Sequence, residues 1–179
     1  MAARIIRHNP HPMPQFGDIR ALKWGYAANG SQGGRLSATM NQNAIFGPFL
    51  SVMLLTLLVW LYMYSKRIPF LQRGKVNLNE LTPGELARMS PPAVANPSDN
   101  LKNLFELPTL FYALALYLFV TNKVDSIYLI AAWIFAGFRV LHSAMHCTVN
   151  IVILRFWLYF ISATALWFML VRAACSALT

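Results

Sequence analysis

Charge is what this sequence lacks most. Charged residues make up 12% of the 179 positions, about half of the ~25% found in typical soluble domains. Asp and Glu together number only 6, whereas hydrophobic residues make up 57%. A soluble domain of this length needs more charged side chains to cover its surface. The composition therefore argues against a soluble enzyme, a disordered tail or a nucleic-acid-binding module, and it indicates a small membrane protein.

Cysteine is also scarce, because the chain has only Cys147 and Cys175. Both lie in or beside apolar segments, so no disulfide framework is expected.

Positive charge is in excess, because 15 Lys and Arg residues against 6 Asp and Glu residues give a net charge of +9. In a soluble chain this excess would suggest nucleic acid. Here it favours basic residues that flank membrane spans and face anionic lipid, with no nucleic-acid partner.

Four apolar segments are long enough to be membrane spans. They cover about residues 44–65, 104–120, 127–147 and 151–171. The first ends in Trp60, Tyr62 and Tyr64, and Lys66 and Arg67 follow at once. An aromatic belt followed by positive charge is typical of the edge of a membrane span.

The connections between the spans differ in length. Residues 121–126 and 148–150 form short turns, so spans two to four run up, down and up. Residues 66–103 form a long polar connection, in which Thr82 and Glu85 predict a capped helix start and Ser90-Pro91-Pro92 a break. We therefore predict an all-α integral membrane four-helix bundle with one long loop after the first helix.

The first 39 residues stand apart from the predicted membrane domain at 40–179. They have no apolar run long enough for a signal peptide. Three interpretations stay open: a targeting segment, a natural start at Met40, or an arm with Trp24 and Tyr26 that docks onto a larger membrane complex. Positive charge around the long loop predicts that this loop faces the cytoplasm in a bacterial inner membrane or an organelle membrane.

Ionisable side chains within the predicted spans are the candidate functional residues, since such groups are costly in lipid. Arg139, His142 and His146 follow one face of span three. The start of span two, the end of span three and the start of span four lie on the same side of the membrane, so their polar residues are expected to form one basic cleft. The remaining polar residues of these three segments are Asp99, Lys102, Asn103, Glu106, Asn150, Arg155, Tyr159 and Ser162.

Structural interpretations of these residues stay open beside the functional one. Glu106 is able to pair with Arg139 or Arg155 and so hold the bundle together. His142 and His146 have the spacing of two metal ligands, but two nitrogen ligands alone do not make a metal site, and no metal is predicted. Cys147 is more typical of a packed thiol than of a nucleophile.

Three segments resemble the MAPEG family, the membrane-associated proteins in eicosanoid and glutathione metabolism. They are Asp99–Tyr112 (DNLKNLFELPTLFY), Arg139–Asn150 (RVLHSAMHCTVN) and Arg155–Tyr159 (RFWLY). The resemblance covers about residues 44–173 and includes the four-span layout. It implies a homotrimer with sites between the subunits, which bind glutathione and stabilise its thiolate with an arginine.

The resemblance also assigns roles to individual residues. Arg155 is the candidate for thiolate stabilisation, and Tyr159 stands one turn beyond it. Asn103 and Glu106 match the family's Asn-x-x-Glu pattern, which would hold the amino end of the peptide. With His146, which lies one turn beyond His142, the predicted glutathione-binding residues are the following: Lys102, Asn103, Glu106, Arg139, His142 and His146.

Three positions depart from the family pattern. Asp99 stands where several members carry arginine, His146 stands where they carry tyrosine, and Phe156 lacks a hydroxyl that some members have. A carboxylate at Asp99 would repel a ligand with two carboxylates of its own. We therefore keep two functions: a glutathione-dependent transferase or peroxidase acting on lipophilic electrophiles, and a catalytically silent accessory subunit of a larger membrane complex. A lipid- or haem-related binder that uses His142 and His146 is a third, minor interpretation.

Overall fold

The computed structural model describes residues 41–74 and 81–178. The predicted N-terminal extension, 1–39, lies outside these residues. A short 3-10 turn at Gln42–Ile45 precedes six helices. The helices are α1 (Phe46–Arg73), α2 (Pro83–Met89), α3 (Pro92–Leu104), α4 (Leu107–Val120), α5 (Ser126–Cys147) and α6 (Val152–Leu178).

Four helical segments are long and apolar enough to cross a membrane, which confirms the predicted four-span, all-α fold. They are Gln42–Arg73, Pro92–Val120, Ser126–Cys147 and Val152–Leu178. Many of their large apolar side chains are exposed in the single chain. In water this surface would be unfavourable, whereas lipid acyl chains cover it without cost.

The second span differs from its prediction, because it starts twelve residues earlier and is broken. Residues 92–103, expected in the polar loop, form most of α3, and Phe105 and Glu106 separate α3 from α4. Pro108 explains the break: it lacks an N–H, and its ring clashes with the carbonyl of the residue four positions earlier, Leu104. Helix α3 forms despite its polar sequence because Val94 and Leu104 are buried within the fold.

The remaining connection agrees with the turn signals in the sequence. The Thr82 hydroxyl accepts a hydrogen bond from the Glu85 backbone N–H at 3.3 Å, and the Thr82 N–H donates to the Glu85 carboxylate at 2.9 Å. This capping box starts α2. The helix ends at Met89, and α3 begins at Pro92 after the predicted Ser90-Pro91-Pro92 break.

The core lies where α1, α4, α5 and α6 meet. Phe111 of α4 and Phe135 of α5 are fully buried, and their rings stack with centroids 4.5 Å apart. On α6, Leu166 and Met169 are buried in the same cluster. This apolar packing fills one half of the bundle, so buried polar groups are concentrated in the other half, near the end of α5.

Asp125 fixes the turn between α4 and α5. Its carboxylate accepts from the Tyr128 N–H at 2.9 Å, capping α5, and from both terminal nitrogens of Arg172 on α6 at 2.9 and 2.6 Å. The hydrogen bond from Arg172 is the main reason that the pKa of Asp125 lies below its ordinary value.

This arrangement predicts acid sensitivity. A carboxylate whose pKa is lower in the folded state stabilises the protein above its unfolded pKa of about 4, and that stabilisation is lost as pH falls. We expect Asp125→Asn, which keeps the helix cap, to unfold at a lower temperature than the parent protein at pH 7, with the two converging towards pH 3. Thermal melts in detergent at both values measure this. An equal gap at the two pH values would contradict the role of the carboxylate charge.

Candidate functional site

The end of α5 carries three buried basic side chains, Arg139, His142 and His146, which we call the buried basic seam. Their spacing places them on one face of α5, and all three are buried. The sequence predicted this stripe. The face is buried because α3 and α6 cover it, and the apolar residues on the opposite side of α5, Val140 and Leu141 among them, are exposed.

Arg139 lies at the centre of the seam and is 0% exposed. Its Nη2 donates to the backbone carbonyl of Asn103 at 2.9 Å. The guanidinium carbon lies 5.0 Å from the centre of the Tyr159 ring and 5.8 Å from that of Phe135. Nε and Nη1 are buried without a hydrogen-bond partner among the described residues. Two donor nitrogens of this buried cation are therefore left without an acceptor among the described residues.

Glu106, the expected partner of Arg139 or Arg155, forms no ion pair with either in the single chain. Within residues 41–74 and 81–178, the ion pairs join Lys102 to Asp99 and Arg172 to Asp125. Glu106 is exposed and lies in the break between α3 and α4. Since Pro108 ends α3 before Glu106, the carboxylate no longer follows the helical stripe that the sequence spacing predicted.

The two histidines pack against each other and against α6. The ring centres of His142 and His146 are 5.6 Å apart, and His142 lies 5.8 Å from the Tyr159 ring. Nδ1 of each histidine is buried without a hydrogen-bond partner in the described part of the chain. No group of three or more His, Cys, Asp or Glu side chains able to hold a metal ion occurs there.

A second polar cluster beside the seam was missed from the sequence. The Asn100 side chain is fully buried, donates to Cys147 Sγ at 3.4 Å and accepts from the Ser143 hydroxyl at 3.3 Å. These bonds join α3 to α5. Helical spacing in the sequence could have predicted this cluster, because Ser143 stands one turn after Arg139, and Asn100 one turn before Asn103. Asn100 was not identified because the polar residues named at the start of span two were Asp99, Lys102, Asn103 and Glu106.

Arg155, at the start of α6, is held by a chain of two side-chain amides. Its Nη1 donates to Asn150 Oδ1 at 2.5 Å, and Asn150 Nδ2 donates to Asn96 Oδ1 of α3 at 3.2 Å. Asn150 has a φ of 52°, a left-handed conformation that asparagine tolerates better than most residues. The tight turn thus orients the amide that positions Arg155.

The structure brings together most, but not all, of the predicted site residues. The backbone of Asn103, the buried basic seam and Tyr159 meet inside the bundle. Arg155 lies on α6 one turn before Tyr159. Lys102 lies outside: its side chain is 73% exposed, and it pairs with Asp99 at 2.9 Å. Glu106 is likewise on the outside. The cations and donors that remain suit an anionic ligand.

Comparison with known protein families gives a match over most of the described chain. A family model described as MAPEG family matches residues 45–175, from the end of the 3-10 turn to near the end of α6. The match covers the buried basic seam and all the predicted site residues. No curated protein and no solved structure matches.

Proposed function

The chain belongs to the MAPEG family, and from this premise we propose that it is a glutathione-dependent transferase or peroxidase acting on lipophilic electrophiles. It is a multi-pass membrane protein. The homotrimer and the cytoplasmic site that the family resemblance implies are part of the same proposal, as is a bacterial inner membrane or organelle membrane as its location.

One observation carries this proposal: Arg139 is fully buried, and no described carboxylate pairs with it. A cation in a low-dielectric interior is unfavourable unless an opposite charge compensates it. Two of its nitrogens and both histidine Nδ1 atoms also lack partners among the described residues. An anionic ligand such as glutathione, with two carboxylates and an ionisable thiol, would supply the negative charge and the acceptors that these buried groups lack.

The reaction assigns a different role to Arg155. Its guanidinium, oriented by Asn150, would stabilise the thiolate of glutathione, which is the nucleophilic form of the thiol. The thiolate sulfur forms a bond to the electrophilic carbon, and the leaving group departs as an anion with the bonding electrons. Tyr159 would contribute its hydroxyl to the same thiolate. Lys102 and Glu106, which are exposed in the single chain, would bind the peptide end together with Asn103 in a site between subunits of the proposed homotrimer.

The second candidate is a catalytically silent accessory subunit of a larger membrane complex. It is favoured by the Asp99–Lys102 ion pair, in which an acid occupies the place of a ligand-binding arginine and engages the neighbouring cation. His146, which stands where several family members carry tyrosine, also favours this second candidate.

Glutathione binding distinguishes the two candidates. We expect the purified full-length protein in detergent, mixed with millimolar glutathione near pH 7, to show the ultraviolet absorbance of about one thiolate per site. S-methylglutathione, which has no ionisable thiol, is the matched control and should give no such signal. Absence of the thiolate signal together with no thermal stabilisation by either compound would overturn the transferase proposal and favour the accessory subunit.

A further inference from the structure

A separate cavity lies between the last turns of α1 and the start of α3. Its volume is about 600 Å³, and its walls include Lys66, Pro69, Phe70 and Arg73 of α1, with Pro91 and Val94 on the other side. None of these residues belongs to the buried basic seam or to the proposed glutathione site. The cavity, which we call the interfacial cavity, is therefore a second candidate site.

The lining of the interfacial cavity combines two cations with an apolar floor. Lys66 and Arg73 are seven residues apart, about 10 Å along the helix axis, and Pro69 and Phe70 lie between them. No Asp or Glu is among its described lining residues. A ligand that fits this pattern has a negatively charged head and an apolar body.

Aromatic side chains place the cavity at the membrane surface. Trp60 and Tyr64 are exposed on α1, and their ring centres are 4.8 Å apart. Lys66 Nζ lies 5.2 Å from the centre of the Tyr62 ring. Exposed Trp and Tyr mark the level of the lipid headgroups, and Lys66 to Arg73 continue the helix immediately beyond this level.

The basic residues at the end of α1 differ in their contacts, as Arg67 shows. Arg67 does not line the interfacial cavity; it donates to the Ser98 hydroxyl at 2.6 Å, fastening α1 to α3. Lys66 and Arg73 form no ion pair with a described carboxylate. No carboxylate of the described residues therefore neutralises these two charges beside the interfacial cavity.

We propose that the interfacial cavity binds the phosphate headgroup of an anionic phospholipid. Lys66 and Arg73 contact the phosphate region, and the glycerol and upper acyl carbons lie on Pro69, Phe70 and Val94. The positive charge selects anionic over zwitterionic lipid, and the apolar floor selects lipid over free phosphate. This inference is independent of the proposed transferase activity.

The test is native mass spectrometry of the full-length protein in detergent, titrated with phosphatidylglycerol, phosphatidylcholine or inorganic phosphate. We expect one tightly bound phosphatidylglycerol per chain and no comparable binding of the other two. Each of K66Q and R73Q should weaken phosphatidylglycerol binding roughly fivefold, and the double variant about 25-fold. All the changed side chains are exposed, so unchanged thermal melts are expected.

Arg88→Gln is the matched control, because Arg88 is exposed on α2 and does not line the cavity. It should bind phosphatidylglycerol like the parent protein, and the charge-preserving K66R/R73K variant should do so too. Equal loss in R88Q and R73Q would overturn the proposal in favour of a diffuse field. Tight binding of inorganic phosphate, or equal binding of phosphatidylcholine, would also overturn it.

Discussion

Replacement of Arg155 by glutamine is expected to lower kcat/KM for conjugation of glutathione with a halogenated aromatic substrate by about 10²- to 10³-fold. The reason is electrostatic: a positioned positive donor beside the reacting sulfur stabilises the thiolate, and loss of one such donor at an active site costs about 3–4 kcal/mol of transition-state stabilisation. Glutamine keeps a hydrogen-bond donor near Asn150 but removes the charge. The measurement is initial rates at saturating and sub-saturating glutathione.

Arg88→Gln is again the matched control, since it makes the same chemical change at an exposed position of α2. Its rates should equal those of the parent. The thiolate absorbance should vanish in Arg155→Gln, while its thermal melt changes by little, because Arg155 is only half-buried and bonded to one amide. Full turnover in Arg155→Gln would remove Arg155 from the reaction.

Replacement of Arg139 by methionine is expected to stabilise the ligand-free protein while abolishing glutathione binding. Methionine fills a similar length without charge, and exchange of buried ionic groups for apolar ones often stabilises by about 1–4 kcal/mol. The lost bond to the Asn103 carbonyl offsets part of this gain. A net gain of about 2 kcal/mol corresponds to a rise of roughly 5 °C in Tm.

Arg172→Met is the informative comparison, because Arg172 has the carboxylate partner that Arg139 lacks. It bonds Asp125 through two nitrogens and covers the Tyr128 ring at 4.2 Å. Its replacement should therefore lower Tm. Glutathione should raise the Tm of the parent and of Arg172→Met, and leave that of Arg139→Met unchanged. A fall in Tm for ligand-free Arg139→Met would mean that Arg139 serves the fold rather than a ligand.

If Arg139→Met raises Tm and Arg172→Met lowers it, the two ends of the bundle differ in whether their arginines have a carboxylate partner. At the Asp125 end, charges are paired and fasten α5 to α6. At the seam end, Arg139 has no carboxylate partner among the described residues, and a buried unpaired cation lowers stability unless a ligand or a partner compensates its charge. The proposed function therefore places the ligand at the end of these helices opposite to the Asp125–Arg172 ion pair.

The sequence alone determined the membrane class and the four spans, because apolar length is a local property that needs no knowledge of the fold. It also determined the α2 capping box and the stripe of Arg139, His142 and His146, since both depend only on helical spacing. The family resemblance, carried by short motifs such as NLFELP, is confirmed by the match over residues 45–175.

Tertiary contacts decided the rest. Helix α3 has a polar sequence and forms because Val94 and Leu104 are buried in the fold, which sequence pattern does not reveal. Asn100 became part of the polar cluster for the same reason. Glu106 does not follow the predicted stripe, because Pro108 ends α3 at Leu104, before Glu106 is reached. The partner expected for Arg139 is therefore exposed on the outside of the single chain. Spacing predicts which side chains share a face, whereas packing decides which of them meet.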